Sequence, residues 1–199
     1  MTDNSLSPLD SVLIVSQEKS SIDAIRLGLP AATKIAISSD FSFEALTRDI
    51  KDSEPDLVIV ASKVTTPALM RSLDRVLRTI SLPVMLFVEA DTDDFAAQAV
   101  RIGVSAFVVD GLNSTRILSL MTVAVERFKL IQALQNDLQK SKDTLTARKT
   151  IEQAKGLIMQ RQNLSEQDAY RTLRTMAMRQ SKPLKEIAET VISISELLP

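Results

Sequence analysis

Five short apolar runs, separated by segments of helical length, dominate the chain between residues 11 and 109. The runs are rich in Val, Ile and Leu and show no strict alternation of apolar and polar residues. This pattern is typical of strands that are buried on both faces of a parallel sheet. The predicted strands are residues 11–15, 34–38, 56–61, 82–88 and 106–109, and the predicted helices between them are residues 21–29, 43–50, 67–78 and 93–102.

A parallel sheet with helices between its strands is a doubly wound α/β domain. Five units of this size predict a flavodoxin-like domain over residues 9–114. In such a domain the functional groups lie at the carboxyl ends of the strands. After Leu112 the pattern becomes purely helical, so the fold class that we expect for the whole chain is α/β plus all-α.

One long helix is predicted from Ser114 to about Gln162, because this stretch has no Pro and Gly156 is its only Gly. Within it, residues 115–146 carry an aliphatic seam at spacings of 3, 4 and 7, with Ser141 at the intervening position. This heptad spacing predicts a coiled-coil linker that pairs two copies of the chain as a homodimer. The alternative is an amphipathic helix packed on its own domain. The seam consists of Ile131, Leu134, Leu138 and Leu145.

Residues 147–199 predict a small bundle of three short helices. The first helix continues the long helix, Ser165 is placed to cap the second, and Pro183 suits the first turn of the third. A core this small is marginal alone, which gives the coiled coil a structural role. The apolar stripes are Ile151, Ala154, Leu157 and Ile158 on the first helix, Ala169, Leu173, Met176 and Ala177 on the second, and Leu184, Ile187, Ala188, Val191 and Ile192 on the third.

Composition excludes several kinds of site. The chain has no Cys and no His, which excludes disulfides, thiolate or imidazole catalysis and the usual zinc ligands. We therefore expect neither an enzyme nor a cofactor. No secretory signal or membrane span is evident, so we expect a cytoplasmic protein without membrane contact. Residues 145–199 carry nine basic and six acidic side chains, a net charge of +3 that suits an anionic partner.

Three motifs follow one another in the C-terminal quarter: ARKTIEQAKGLIM at residues 147–159, DAYRTLRTMAM at residues 168–178 and LKEIA at residues 184–188. Together they resemble the ANTAR domain, the RNA-binding module of AmiR-type and NasT-type antiterminators. The resemblance implies that residues 147–199 bind stem-loops in nascent leader mRNA and so prevent a downstream terminator from forming. We therefore expect a regulator of transcription antitermination.

Shorter segments at residues 105–111, 125–128 and 194–198 further resemble the NasT-type nitrate-assimilation regulators. This narrower resemblance implies control of nitrate or nitrite assimilation genes. It also implies a partner, a nitrate/nitrite sensor protein of the NasS type, which sequesters the regulator until the sensor binds its ligand.

The second predicted helix of the bundle brings an aromatic ring and two guanidinium groups to one face. Tyr170 and Arg171 lie four and three residues before Arg174, so all three face away from Leu173. Such a face offers base stacking together with bidentate phosphate contacts. In the alternative, Tyr170 covers the core, the charges are ordinary solvated ones, and Gly156 is a helix-packing contact. The candidate RNA-binding residues are Arg148, Lys149, Lys155, Gly156, Tyr170, Arg171 and Arg174.

The N-terminal domain resembles the CheY-like receiver domains of response regulators in length and strand order, but it lacks their chemistry. The resemblance places Ala61 at the phosphoacceptor position, or Ser62 in an alternative alignment, and Glu18 as the one acid after the first strand. A carboxylate is needed both as the nucleophile and as a ligand for Mg²⁺. The sequence therefore predicts a pseudo-receiver without phosphorylation. The degenerate pocket comprises Ser16, Gln17, Glu18, Ala61, Val88 and Asp110.

Two other classes of protein compete with this interpretation. A DNA-binding response regulator of the helix-turn-helix type would also place helices after a receiver domain, but here the last turn lacks Gly and the last helix is apolar and acidic. A scaffold that acts only through coiled-coil pairing would not need the cluster around Tyr170.

Overall fold

The computed structural model describes residues 9–90, 95–110 and 112–197, and their side chains as far as residue 195. The predictions that involve Asp93, Gly111 and Leu198 lie outside these residues. The chain divides into two compact units, Met1–Gln132 and Ala133–Pro199.

The first unit contains a five-stranded parallel sheet with the strand order 2-1-3-4-5. The predicted doubly wound α/β fold is therefore confirmed. The strands are β1 (Ser11–Ser16), β2 (Lys34–Ser38), β3 (Leu57–Val64), β4 (Val84–Ala90) and β5 (Ala106–Val109). The helices between them are α1 (Lys19–Gly28), α2 (Phe43–Ser53), α3 (Pro67–Thr79) and α4 (Phe95–Ile102), and the long helix that follows is α5 (Ser114–Gln162).

The sheet is covered on both faces, which explains why its strands are apolar throughout. On one face, residues of α2, α3 and α4 pack against β1, β3 and β4, with Leu46, Leu73 and Ala99 among the buried side chains. On the other face, Ile25 of α1 and Ile117 at the start of α5 are completely buried against the same strands. The start of α5 is thus part of the first unit and not a free linker.

The second unit contains the C-terminal part of α5 and two further helices, α6 (Glu166–Gln180) and α7 (Leu184–Leu197). Their buried core contains Ala154, Ile158, Leu173 and Ile187 and matches the predicted stripes, except that Leu157 stays half-buried outside it. The Ser165 hydroxyl caps α6 by accepting a hydrogen bond from the Asp168 N–H at 3.2 Å. The three-helix bundle expected from the sequence is confirmed.

The seam on α5 is not covered by the rest of the described chain. Ile131, Leu134, Leu138 and Leu145 are between 40% and 61% exposed. The alternative in which this stretch packs on its own domain is therefore not what the structure shows. Pairing of two copies through the seam stays a prediction.

Candidate nucleic-acid interface

The exposed face of α6 carries the aromatic and guanidinium groups that the sequence places there. Leu173 and Ala177 are buried in the core of the second unit, and the opposite face presents Tyr170, Arg171 and Arg174. The Tyr170 side chain is 44% exposed. Among the described residues, the one guanidinium that lies over an aromatic ring is Arg75, over Phe43 in the first unit. No guanidinium of the described chain lies over the Tyr170 ring. The Tyr170 ring is thus partly exposed and accessible to a ligand.

A groove of about 650 Å³ runs along this face, between α6 and the C-terminal part of α5. It contains the phenol ring, three cationic side chains and one carboxylate. This mixture favours an anionic ligand that also has a planar group. The lining residues are Lys155, Glu166, Gln167, Tyr170, Arg171 and Arg174.

Lys155 forms the wall of this groove on α5 and is held by two carboxylates. Its side chain is only 9% exposed, and its ammonium nitrogen lies 2.8 Å from a Glu152 oxygen and 2.7 Å from a Glu166 oxygen. Hydrogen bonds to Glu152 and Glu166 raise the pKa of Lys155, and the bond from Lys155 lowers the pKa of Glu166. The ammonium group joins α5 to the first turn of α6, and its charge is balanced within the chain.

This arrangement gives Lys155 a structural role in addition to its candidate role in RNA binding. In the sequence, Lys155 lies seven residues after Arg148, a spacing that puts both on one face of a helix. The signal that could have shown the difference is the pair Glu152 and Lys155 at i and i+3, a spacing that favours ion pairing on a helix. Glu166 could not be paired with Lys155 without the tertiary structure. Contact between Lys155 and RNA remains a prediction.

The other cations predicted to bind RNA differ in whether they already form an ion pair with a carboxylate of the chain. Arg171 contacts the Asp168 carboxylate at 3.3 Å, in a pair whose side chains are both well exposed. Arg148, Lys149 and Arg174 are exposed and have no ion pair within the part of the chain that the structure describes. Among the cations that line the groove, Arg174 is therefore the one without an ion pair in the described part of the chain.

Gly156 lies on the outside of α5. A Cβ atom added at this position would meet nothing within 4 Å. The alternative that Gly156 is a helix-packing contact is thus not seen within the described chain. A glycine inside a helix costs about 1 kcal/mol relative to alanine. Its place on an open surface is consistent with a close approach by another molecule.

The residues that the sequence assigns to a degenerate phosphorylation pocket lie at the carboxyl edge of the sheet. Ser16 at the end of β1 is paired with Ala61 in β3, and Val88 in β4 is paired with Ser62 and Val109. Ala61 and Val88 are buried, so two apolar side chains occupy the centre of this edge. Asp110 follows β5 with a left-handed φ of 47°.

Glu18, the acid that follows β1, is paired with a neighbouring lysine. The Lys63 ammonium group lies 3.0 Å from a Glu18 carboxylate oxygen, and the hydrogen bond to Glu18 raises the pKa of Lys63. Lys63 belongs to an extension of β3 that continues past Ala61 to Val64. The described residues contain no group of three or more acidic side chains that could hold a metal ion. Two hollows of about 590 Å³ each lie at this edge, and both include Ala61 and Ser62.

None of the helices in the described ranges has an apolar stretch long enough to cross a membrane.

Comparison with known proteins agrees with the division into two parts. Residues 139–192 match the ANTAR domain family. Transcriptional regulatory protein PdtaR of Mycobacterium tuberculosis is 26% identical over 139 residues, which are 70% of this chain and 68% of that protein. The nitrate regulatory protein of Klebsiella oxytoca is 37% identical over 67 residues, which are 34% of this chain and only 17% of that protein.

Solved structures match the chain mainly through its first unit. A CheY-like receiver domain protein from Methanospirillum hungatei has a TM-score of 0.51 and 12% identity, covering 61% of this chain and 97% of that one. The receiver domain of an HD domain-containing protein from Pseudomonas fluorescens has a TM-score of 0.53 and 15% identity, covering 67% and 98%. At these identities the likeness concerns the fold alone. The chain thus contains a segment, residues 139–192, that matches the ANTAR domain family, and an N-terminal domain with the receiver fold.

Proposed function

We propose that this protein binds stem-loops in nascent leader mRNA through the groove on α6 and thereby controls transcription termination. The observation that carries the proposal is the exposed Tyr170 ring beside Arg174, a cation without a partner among the described residues. A-form RNA presents few readable base edges, so proteins recognise loops by stacking on aromatic rings and by cationic contacts to phosphates. Tyr170 and Arg174 supply one group of each kind.

Arg171 can join the same site when RNA arrives. Its contact with Asp168 is an exposed ion pair between residues three apart, and such pairs stabilise a helix by well under about 1 kcal/mol. Arg171 can therefore exchange the Asp168 carboxylate for a phosphate at a small cost in free energy. Lys155, by contrast, is held by Glu152 and Glu166 and contributes mainly by fixing α6 against α5.

The receiver-like domain belongs to the proposal as a docking domain for a protein. Ala61 stands buried at the phosphoacceptor position and offers no carboxylate, and the Glu18 carboxylate is already paired with Lys63. We propose that a nitrate/nitrite sensor of the NasS type controls the chain instead of phosphorylation. The similarity of one third of the chain to a nitrate regulatory protein supports this assignment.

The proposed organisation is a receiver-like domain at residues 9–114, a coiled-coil linker at residues 115–146, whose first turns also pack on the receiver-like domain, and an ANTAR domain at residues 147–199. The exposed seam of α5 would join two copies, so that each dimer presents two α6 grooves to two stem-loops. A protein that acts on nascent transcripts in this way would work in the cytoplasm.

DNA binding through α7 has less support. Its acidic residues Glu186 and Glu189 are ion-paired with Lys182 and Lys185, so the helix offers little net positive charge to a phosphate backbone. A recognition helix that enters the major groove is normally basic.

The test compares the full chain on three probes at fixed salt, because phosphate contacts alone give salt-dependent affinity for any nucleic acid. The probes are a leader RNA with two stems bearing six-nucleotide loops, the same RNA with scrambled loops, and the matching duplex DNA. We expect tight binding to the first probe only. Equal affinity for all three would refute specific RNA recognition.

A further inference from the structure

A second hollow lies on the same face of α6, one step nearer its C-terminus. It has a volume of about 600 Å³ and is formed by the end of α6, the turn at Ser181 and the start of α7. Tyr170 and Arg174 line both hollows, so these two side chains form a ridge between them. The groove on the N-terminal side is mostly charged, whereas the second hollow is mostly apolar.

The apolar character comes from the exposed Met178 and from Leu184, which packs against the small core but is only partly buried there. Met178 is 72% exposed although it lies only one residue after the buried Ala177. Leu184 at the start of α7 is half-buried and, together with Pro183, forms the opposite wall. A flexible and polarizable Met side chain at an exposed position is typical of a surface that adapts to a ligand.

Polar groups at the rim can recognise the edge of a ligand. Ser181 takes a left-handed φ of 52° at the end of α6, and its N–H donates to carbonyl groups of the last turn. The Ser181 hydroxyl makes no hydrogen bond within the described chain, so it is free to donate or accept. Tyr170 and Met178 are eight residues apart, which corresponds to about 12 Å along the helix axis.

We infer that this second hollow, walled by Met178 and Leu184, receives one unpaired nucleobase of the RNA loop. The inference rests on the proposed function, because Arg174 must hold the adjoining phosphate. An anionic backbone suits the charged groove, and a planar, largely apolar base with hydrogen-bonding edges suits the hollow next to it. The hollow would then determine which loop sequence is bound, while Arg171 and Arg174 supply affinity for any RNA.

The experiment uses hairpin RNAs with a randomised six-nucleotide loop, enriched on the full wild-type chain. The enriched hairpin is then made in versions that carry one abasic nucleotide at each loop position. The variants are Met178→Ala and a control, Ile194→Ala, which removes an exposed aliphatic side chain from α7. Both changes are at exposed helix positions, so circular dichroism should show unchanged helical content.

Met178→Ala should lower affinity for the intact hairpin about tenfold, in line with the contribution of one stacked base, and Ile194→Ala should not. At one loop position, the abasic hairpin should bind the wild type more weakly than the intact hairpin does. The Met178→Ala variant should bind that abasic hairpin and the intact hairpin equally well. If the wild type selects a hairpin and Met178→Ala binds it with unchanged affinity, the inference about the second hollow is overturned and the proposed function stands. If the wild type enriches no loop sequence, the proposed function fails as well.

Discussion

Lys155 and Glu166 show how a cation within a motif for RNA binding can serve the fold. The pKa of Glu166 is lowered from its ordinary value of 4.5 by the hydrogen bond from Lys155, and the pKa of Lys155 is raised above 10.5 by Glu152 and Glu166. A lowered carboxyl pKa contributes stability above its unfolded value, and this contribution is lost as the pH falls through the folded value. A raised lysine pKa contributes below its unfolded value and is lost as the pH rises through the folded value. The pair therefore contributes fully between about pH 4.5 and 10.5.

We predict that Glu166→Gln lowers the melting temperature at pH 7 and that this difference from the wild type shrinks as the pH is lowered below 4.5. The physical reason is that protonation removes the same charge that the variant lacks. Thermal unfolding followed by circular dichroism across this pH range measures both effects. Glu189→Gln is the matched control and should change little, because Glu189 lies 3.7 Å from Lys185, a lysine far more exposed than Lys155. A pH-independent difference for Glu166→Gln would contradict this account of the ion pair.

Gly156 allows stability and binding to be separated at one residue. Because an added Cβ would meet nothing within 4 Å, Gly156→Ala should stabilise the chain, by about 1 kcal/mol on the scale of helix propensities. If RNA approaches this part of α5 closely, the same change should weaken binding to the stem-loop probe. Unfolding and binding measured on one preparation test both expectations. A stabilised variant with unchanged affinity would remove Gly156 from the proposed interface.

At the scale of the elements, the seam of α5 leads to a prediction about assembly. Leu138→Asp places a charge in the middle of the exposed aliphatic seam, where a coiled coil would have to bury it. We predict that the wild type is a dimer and that Leu138→Asp is a monomer with both units still folded, measured by light scattering and circular dichroism. Leu118→Asp is the control, because Leu118 is equally exposed on a different face of the same helix. A wild-type monomer, or a dimer that survives Leu138→Asp, would contradict pairing through the seam.

The elements also show where sequence patterns succeed and where they stop. The bounds of β2 and β5 match the prediction to the residue, and α5 begins at the predicted Ser114 and ends at Gln162, close to the predicted point. The prediction for α2 ended too early, at Ile50. The helix continues to Ser53, where Glu54 takes a left-handed φ of 43° and donates to the Ile50 carbonyl. Because Glu54 is not a glycine, nothing in the sequence marks it as the left-handed residue that ends the helix.

The prediction for β3 also ended too early, at Ala61, whereas the strand continues to Val64. Ser62 and Lys63 are polar and suggest a loop, yet β4 supplies hydrogen-bonding partners beyond the buried part of the sheet. At the candidate site, helical spacing predicted that Tyr170, Arg171 and Arg174 share a face. It could not show that Glu166 neutralises Lys155 or that Met178 and Leu184 form a hollow, because both depend on how α6 lies against its neighbours.

At the scale of the whole molecule, the receiver fold is retained without the groups that make a receiver a phosphorylation switch. We predict that acetyl phosphate and Mg²⁺ leave the protein unmodified, because a buried Ala61 cannot form an acyl phosphate. A phosphate-affinity gel measures this, with an active receiver protein as the positive control. A shifted band that is lost on treatment with hydroxylamine would show an acyl phosphate and contradict control by a docked protein.

The central claim is that RNA is recognised at the Tyr170 and Arg174 face of α6, and one binding measurement tests it most directly. Arg174→Ala is compared with Arg179→Ala, which removes an equal charge from another side of the same helix. With the full chain and the stem-loop probe, we predict at least a tenfold loss of affinity for Arg174→Ala, about the 1.4 kcal/mol expected for a charge-assisted contact. Arg179→Ala should bind nearly as well as the wild type. Equal losses for the two variants would mean that only net charge matters and would contradict the claim.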